Sequence, residues 1–208
     1  MTPTRQQTSL PSRVATGQPS ATVIAGPAPR ANWQSVASFS NGSYFVAVVN
    51  GGGIYTSPDL GQTWMKTAAS LQAWMSVACS SSGNVTVAAA KGAYIYTSCD
   101  FGQTWKQQGS NSEWVSVASS STGSLLVAAA KDSYFYISYD SGRSWTTRAP
   151  HFGNAPWQSA AVSCDGSTIW AVMTATFSSS GPNPYAPKNV ANGYIALSKG
   201  MNRFSSLS

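Results

Sequence analysis

Charge is scarce in this chain. Only 9% of its 208 residues are Asp, Glu, Lys or Arg, and six of them are acids. Chemistry that needs two well-placed carboxylates therefore has few groups to draw on. The net charge of +6 comes from twelve basic residues that are dispersed along the chain, with no Lys/Arg cluster interleaved with aromatics. That spacing reads as a shortage of acids and excludes nucleic acid as the expected partner. Histidine occurs once, at His151. One imidazole argues against a metal centre and against a Ser/His/Asp arrangement, so no metal or other cofactor is expected. The three cysteines, Cys79, Cys99 and Cys164, show no CxxC or other ligand spacing. They read as three reduced, separate thiols; a disulfide between two of them is not legible from spacing. No run approaches the roughly 18–20 apolar residues that span a bilayer, and no segment keeps a helical period.

Residues 1–32 carry Arg5, Arg13 and Arg30, no acid, and much Ser, Thr, Pro and Ala. They lack the apolar stretch of a secretory signal. The composition predicts a disordered tail; an organelle transit peptide shares it, and a third reading has residues 21–25 adding a strand that closes the sheet against the last repeat. The compartments consistent with these features are an organelle lumen or the extracellular space. Two sequons, at Asn41 and Asn84, would be usable only in a secreted protein.

What the chain has in abundance is repetition. Ser57-Pro-Asp-Leu-Gly-Gln-Thr-Trp64 returns as Ser98-Cys-Asp-Phe-Gly-Gln-Thr-Trp105 and Ser138-Tyr-Asp-Ser-Gly-Arg-Ser-Trp145, a period of about 40 residues. Four units open with Trp33-Gln-Ser-Val-Ala, Trp74-Met-Ser-Val-Ala, Trp114-Val-Ser-Val-Ala and Trp157-Gln-Ser-Ala-Ala. Each continues through a Gly-containing turn, a second apolar run (Ala-rich in Val87–Ala90 and Val127–Ala130), an aromatic alternating run and the octet. Short runs rich in Val, Tyr, Ile and Trp, bounded by Gly, Asn, Asp and Ser, are strands. The small side chains of the second runs fit the crowded innermost position of a radial sheet, with the tryptophans filling the space between sheets.

The octet resembles the Asp-box (BNR) repeat of sialidase-like β-propellers, and the resemblance covers residues 33–205. It implies an all-β fold: a β-propeller of about four four-stranded blades, near 33–68, 74–109, 114–149 and 157–208, with Asp-box turns between strands three and four. Because four blades are few for a ring, three expectations stand open: the chain closes alone, it forms a homo-oligomer that completes a larger ring, or it is part of a longer product. The fourth unit departs from the pattern, with Gly200 at the Asp position and Phe204 near the Trp position.

Each octet Asp precedes a Gly by two positions, which suits a carboxylate that accepts hydrogen bonds from its own turn. Asp59, Gly61, Thr63 and Trp64, then Asp100, Gly102, Thr104 and Trp105, then Asp140, Gly142, Ser144 and Trp145 are therefore read as structural. Ligand contact is expected on the opposite loop face. There Lys91, Glu113, Lys131, Asp132 and His151 fall, together with Tyr185 and Lys188 in a Pro/Gly/Ser-rich insertion over 174–192. Sialidases hold their substrate with an arginine triad beside Tyr and Glu. Arg5, Arg13, Arg30, Arg143, Arg148 and Arg203 do not converge, so that activity is not implied and no catalytic residue is assigned. The expected function is a non-catalytic scaffold recognising a protein or a glycan. The alternatives are a glycoside hydrolase using Glu113 and Asp132, or a propeller like photosystem II assembly factors, which bring more blades and an arginine-rich patch that this chain lacks.

Overall fold

A computed structural model of the chain describes residues 23–24, 28–148, 155–173, 194–199 and 204–206. Among the described residues, fifteen strands make one continuous antiparallel network. They are β1 (Val23–Ile24), β2 (Trp33–Ser38), β3 (Phe45–Gly52), β4 (Ile54–Ser57), β5 (Trp64–Lys66), β6 (Gln72–Cys79), β7 (Thr86–Ser98) and β8 (Lys106–Ser119). They continue as β9 (Leu126–Ser133), β10 (Phe135–Ser138), β11 (Thr146–Arg148), β12 (Ala155–Val162), β13 (Thr168–Met173), β14 (Tyr194–Lys199) and β15 (Phe204–Ser206).

The pairings sort them into four consecutive units. In the first, β2 pairs β3, β3 pairs β4 and β4 pairs β5. In the third, the end of β8 pairs β9, β9 pairs β10 and β10 pairs β11. The fourth runs β12, β13, β14, β15. In the second, Thr86–Ala90 of β7 pairs β6 and Ile95–Thr97 pairs the start of β8, with Gly92 at φ +65 between the two stretches. Adjacent units are stitched where the end of one second strand meets the start of the next first strand: Asn50 with Ala73, Lys91 with Glu113, Lys131 with Pro156.

Two expectations are corrected. The Ala-rich second strands are not the innermost ones: each lies between its first and third strands, and Ala88–Ala90 and Ala128–Ala130 are fully buried. A small side chain serves a close sheet-to-sheet contact as well as it serves an axis. The edge where units converge belongs to the first strands. There the backbone N–H of Val77, Val117 and Ala160 donates to the hydroxyl of Ser35, Ser76 and Ser116 in the preceding unit, at 3.2, 3.1 and 3.1 Å. The strand near residues 21–25 does not join the last unit either. β1 pairs β5, Val23 against Met65 and Ile24 against Trp64, as a fifth strand on the outer edge of the first unit.

Among the described residues the core is three apolar layers, one at each junction between units. Val46, Val48 and Ile54 of the first unit meet Trp74, Val77 and Ala88 of the second. Val87 and Ala89 meet Trp114 and Val117; Val127, Ala129 and Phe135 meet Trp157 and Ala160. Trp74, Trp114 and Trp157 are completely buried, and each indole N–H donates to the preceding unit, at Gly52 O, Ala93 O and Ser133 O. A large apolar body with one satisfied donor is what a junction between sheets can absorb. Among the described residues no helix is long and apolar enough to cross a membrane.

Candidate interaction surface

The three octets fold alike. Asp59 accepts from the Thr63 N–H (2.8 Å), the Thr63 hydroxyl (2.6 Å) and the Ser57 hydroxyl (3.0 Å), while Ser57 Oγ accepts from Gly61 N–H at 2.9 Å. Asp100 repeats the set with Thr104 and Ser98, and Asp140 with Ser144 and Ser138. Both central residues of each turn take positive φ: Leu60 and Gly61, Phe101 and Gly102, Ser141 and Gly142. That is the signature of a primed hairpin turn, and it explains the glycine. The indole N–H of Trp64, Trp105 and Trp145 closes back on the carbonyl of that glycine at 3.1, 2.9 and 3.1 Å.

Electrostatics follow from this geometry. Hydrogen bonds from the Ser144 hydroxyl and N–H hold Asp140 down to about 2. The Thr63 hydroxyl does the same for Asp59, more weakly. For Asp100, burial pushes upward and the bonds from Thr104 and Ser98 outweigh it. Asp165, in the hairpin of the fourth unit, is held at about 2 by the Ser163 hydroxyl and by Ser167. Donors aimed at the charged form keep these carboxylates ionised and spoken for, which suits bracing and not proton transfer.

The octets and the hairpins between first and second strands occupy the same edge. Leu60 N–H donates to Ser43 O, Phe101 to Asn84 O and Ser141 to Ser124 O. A backbone ladder runs along that edge from unit to unit: Ser40 N–H to Ser81 O, Ser81 to Ser121 O, Ser121 to Cys164 O, at 2.8–2.9 Å. All three cysteines are unpaired; Cys99 and Cys164 are exposed, and burial pushes the Cys79 thiol up to about 11. Asn41 of the first sequon is exposed, whereas the Thr86 hydroxyl of the second is buried and bonded to Gly83 O.

The opposite edge brings two of the expected contact residues together. Lys91 Nζ and Glu113 Oε2 lie 3.8 Å apart across a junction, both well exposed. Tyr96 and Tyr136 hydroxyls on this side bond Gln72 and Ser110. Lys131 is exposed opposite Pro156, and Asp132 is a backbone position in β9. His151, Tyr185 and Lys188, and the insertion over 174–192, lie outside the described residues. The glycosidase pair thus has one member facing an ammonium. Among the described residues no group of three or more His, Cys, Asp or Glu could hold a metal ion. Sequence reasoning missed the inter-unit serines Ser35, Ser76 and Ser116, whose signal was a serine recurring two positions after the Trp that opens each unit.

This arrangement can be set beside known structures. No family model and no curated protein matches the chain. It is similar in fold to the GH74 enzyme of Niastella koreensis, with TM-score 0.59 and 18% identity over 81% of this chain. A structure of YCF48 bound to D1 peptide gives 0.50 and 16% over 93%. The hydrazine synthase of Kuenenia stuttgartiensis gives 0.62 and 11% over 93%. These neighbours are β-propeller-type proteins. The chain spans 23% of the GH74 enzyme, 74% of that YCF48 and 53% of the hydrazine synthase chain. At these identities the likeness is one of fold.

Proposed function

We propose that the chain is a non-catalytic propeller-type scaffold of four four-stranded blades with Asp-box turns, and that it binds a protein segment on the edge opposite those turns. The observation that carries this reading is the division of labour between the two edges. On one, every octet carboxylate is consumed by its own turn. On the other, Lys91 and Glu113 stand exposed across a junction, 3.8 Å apart. An ion pair this open is worth little to stability, so its charges are free to be re-paired by a ligand. Loops on a rigid scaffold are where recognition usually sits. The peptide-bound neighbour supports a peptide as the occupant and makes a photosystem-assembly-like role a special case of the same reading.

Panning a random peptide display library against the whole chain tests it. Enriched peptides whose binding falls on Lys91→Glu and recovers partly in Lys91→Glu/Glu113→Lys support the reading. Binding only to a glycan array moves the partner class from protein to carbohydrate. The GH74 likeness favours one second reading, hydrolysis of a glycan with Glu113 and Asp132. Turnover of a polysaccharide panel, abolished by Glu113→Gln, would establish it in place of the scaffold.

A further inference from the structure

Register makes the four units comparable residue by residue. Val36, Val77, Val117 and Ala160 each face the alanine of the adjacent second strand: Ala47, Ala88, Ala128 and Ala171. Val77, Val117 and Ala160 are 5%, 5% and 8% exposed, because a preceding unit covers them; Val36 is 62% exposed. Around it lies an open hollow of about 370 Å³ lined by Trp33, Ser35, Ala47 and Trp64. The same comparison at the other end gives the opposite face. Val46, Val87 and Val127 are at 0–1%, and Trp170 in that register position is 40% exposed. Val48, Ala89 and Ala129 are fully buried, and Val172 is 39% exposed. Among the described residues, the two complementary halves of a junction that the units form internally three times therefore stand uncovered.

We infer that a second copy of this chain docks head to tail, its first unit seated on the last unit, and that two copies close on each other. The interface continues the internal junctions and is separate from the Lys91–Glu113 edge. Apolar area uncovered on both faces supplies the drive, and a heterologous contact that closes gives a ring. The polar groups are also in place. Ser159 holds the register position from which Ser35, Ser76 and Ser116 accept the next unit's amide, and the Val36 N–H is the donor it would receive. The Cys164 N–H would extend the turn ladder to Ser40 O of the second copy.

Sedimentation equilibrium over a concentration series reads this directly. The parent chain is expected to reach the mass of two chains. Val36→Asp and Trp170→Asp should each run as one chain, since a carboxylate buried at a junction core weakens association roughly a hundredfold. An equimolar mixture of the two variants retains one intact junction and should regain the two-chain mass. If Trp170→Asp fails to fold by near-ultraviolet dichroism, Val172→Lys serves at the neighbouring position of that face. A parent chain that stays single, or a Trp170→Asp chain that stays paired, would overturn the inference. So would association that appears only after residues 1–22 are deleted, because the chain's own N-terminal segment would then be the cover.

Discussion

The first unit and the interior units are built from the same motif, yet they stand in different surroundings. Trp114 is completely buried with its N–H on the preceding unit; Trp33, in the same position, is half-buried and donates to Pro29 O in its own N-terminal stretch. A methyl added at Gly142 would lie 2.3 Å from Thr97 Cγ2 of the unit before it, whereas at Gly61 the nearest atom is its own Trp64 at 4.0 Å. Intrinsic strand preference is therefore shared, and what differs is the covering sheet. A repeat of this kind acquires much of its stability from its neighbour, as nearest-neighbour models of repeat proteins hold.

The largest test of that contrast is truncation of the two indoles. Trp114→Ala should cost about 3–5 kcal/mol in urea unfolding, while Trp33→Ala should cost about 1–2 kcal/mol because part of its surface is already wet. Equal losses would mean the junction adds nothing to the motif. Next come the turn glycines. Both sit at φ near +84, so alanine meets backbone strain of about 1–2 kcal/mol at either. Gly142→Ala adds the clash with Thr97 and should lose roughly 1 kcal/mol more than Gly61→Ala in the same assay. The inner serines sharpen the comparison further. Ser116→Ala leaves the buried Ala160 amide unpaired and should cost about 1–3 kcal/mol. Ser159→Ala, at an exposed copy of the position, should stay within about 0.5 kcal/mol in a chain kept single by Val36→Asp.

The smallest effect is acid sensitivity. Asp140 and Asp165 have folded values of about 2 against an ordinary 3.8, and Asp59 and Asp100 shift the same way. A depressed carboxylate contributes its stability fully above the unfolded value and loses it as pH falls through the folded one. Stability should therefore decline from about pH 4 toward pH 2. Asp140→Asn should flatten that decline more than Asp59→Asn, as its shift is the larger. Tryptophan-monitored unfolding at stepped pH measures both, and a decline centred near neutral pH would point to other groups.

The octet turns were legible in the sequence because their chemistry is local. Asp, Gly, the hydroxyl residue and Trp all bond within eight positions, so spacing alone encodes the hydrogen bonds. The position of the alanine strands was not legible, since a small side chain fits between two sheets as well as near an axis, and only pairing separates the cases. The serines of the first strands bond across about forty positions, for instance Ser35 to Val77, so their role depends on a neighbour that local pattern does not show. The bare faces at Val36 and Trp170 were illegible for the same reason: exposure belongs to a junction and not to a residue. Of the candidate contact residues, Lys91 and Glu113 converge because their backbone positions pair across a junction, a register that repeat alignment could have supplied.

Solvent access to individual indoles tests the central claim most directly. With fluorotryptophan incorporated into the Val36→Asp chain, a soluble paramagnetic agent should broaden the resonances of Trp33 and Trp170 and spare those of Trp74, Trp114 and Trp157. Comparable broadening of all five would contradict an account in which each unit is completed by the face of the next.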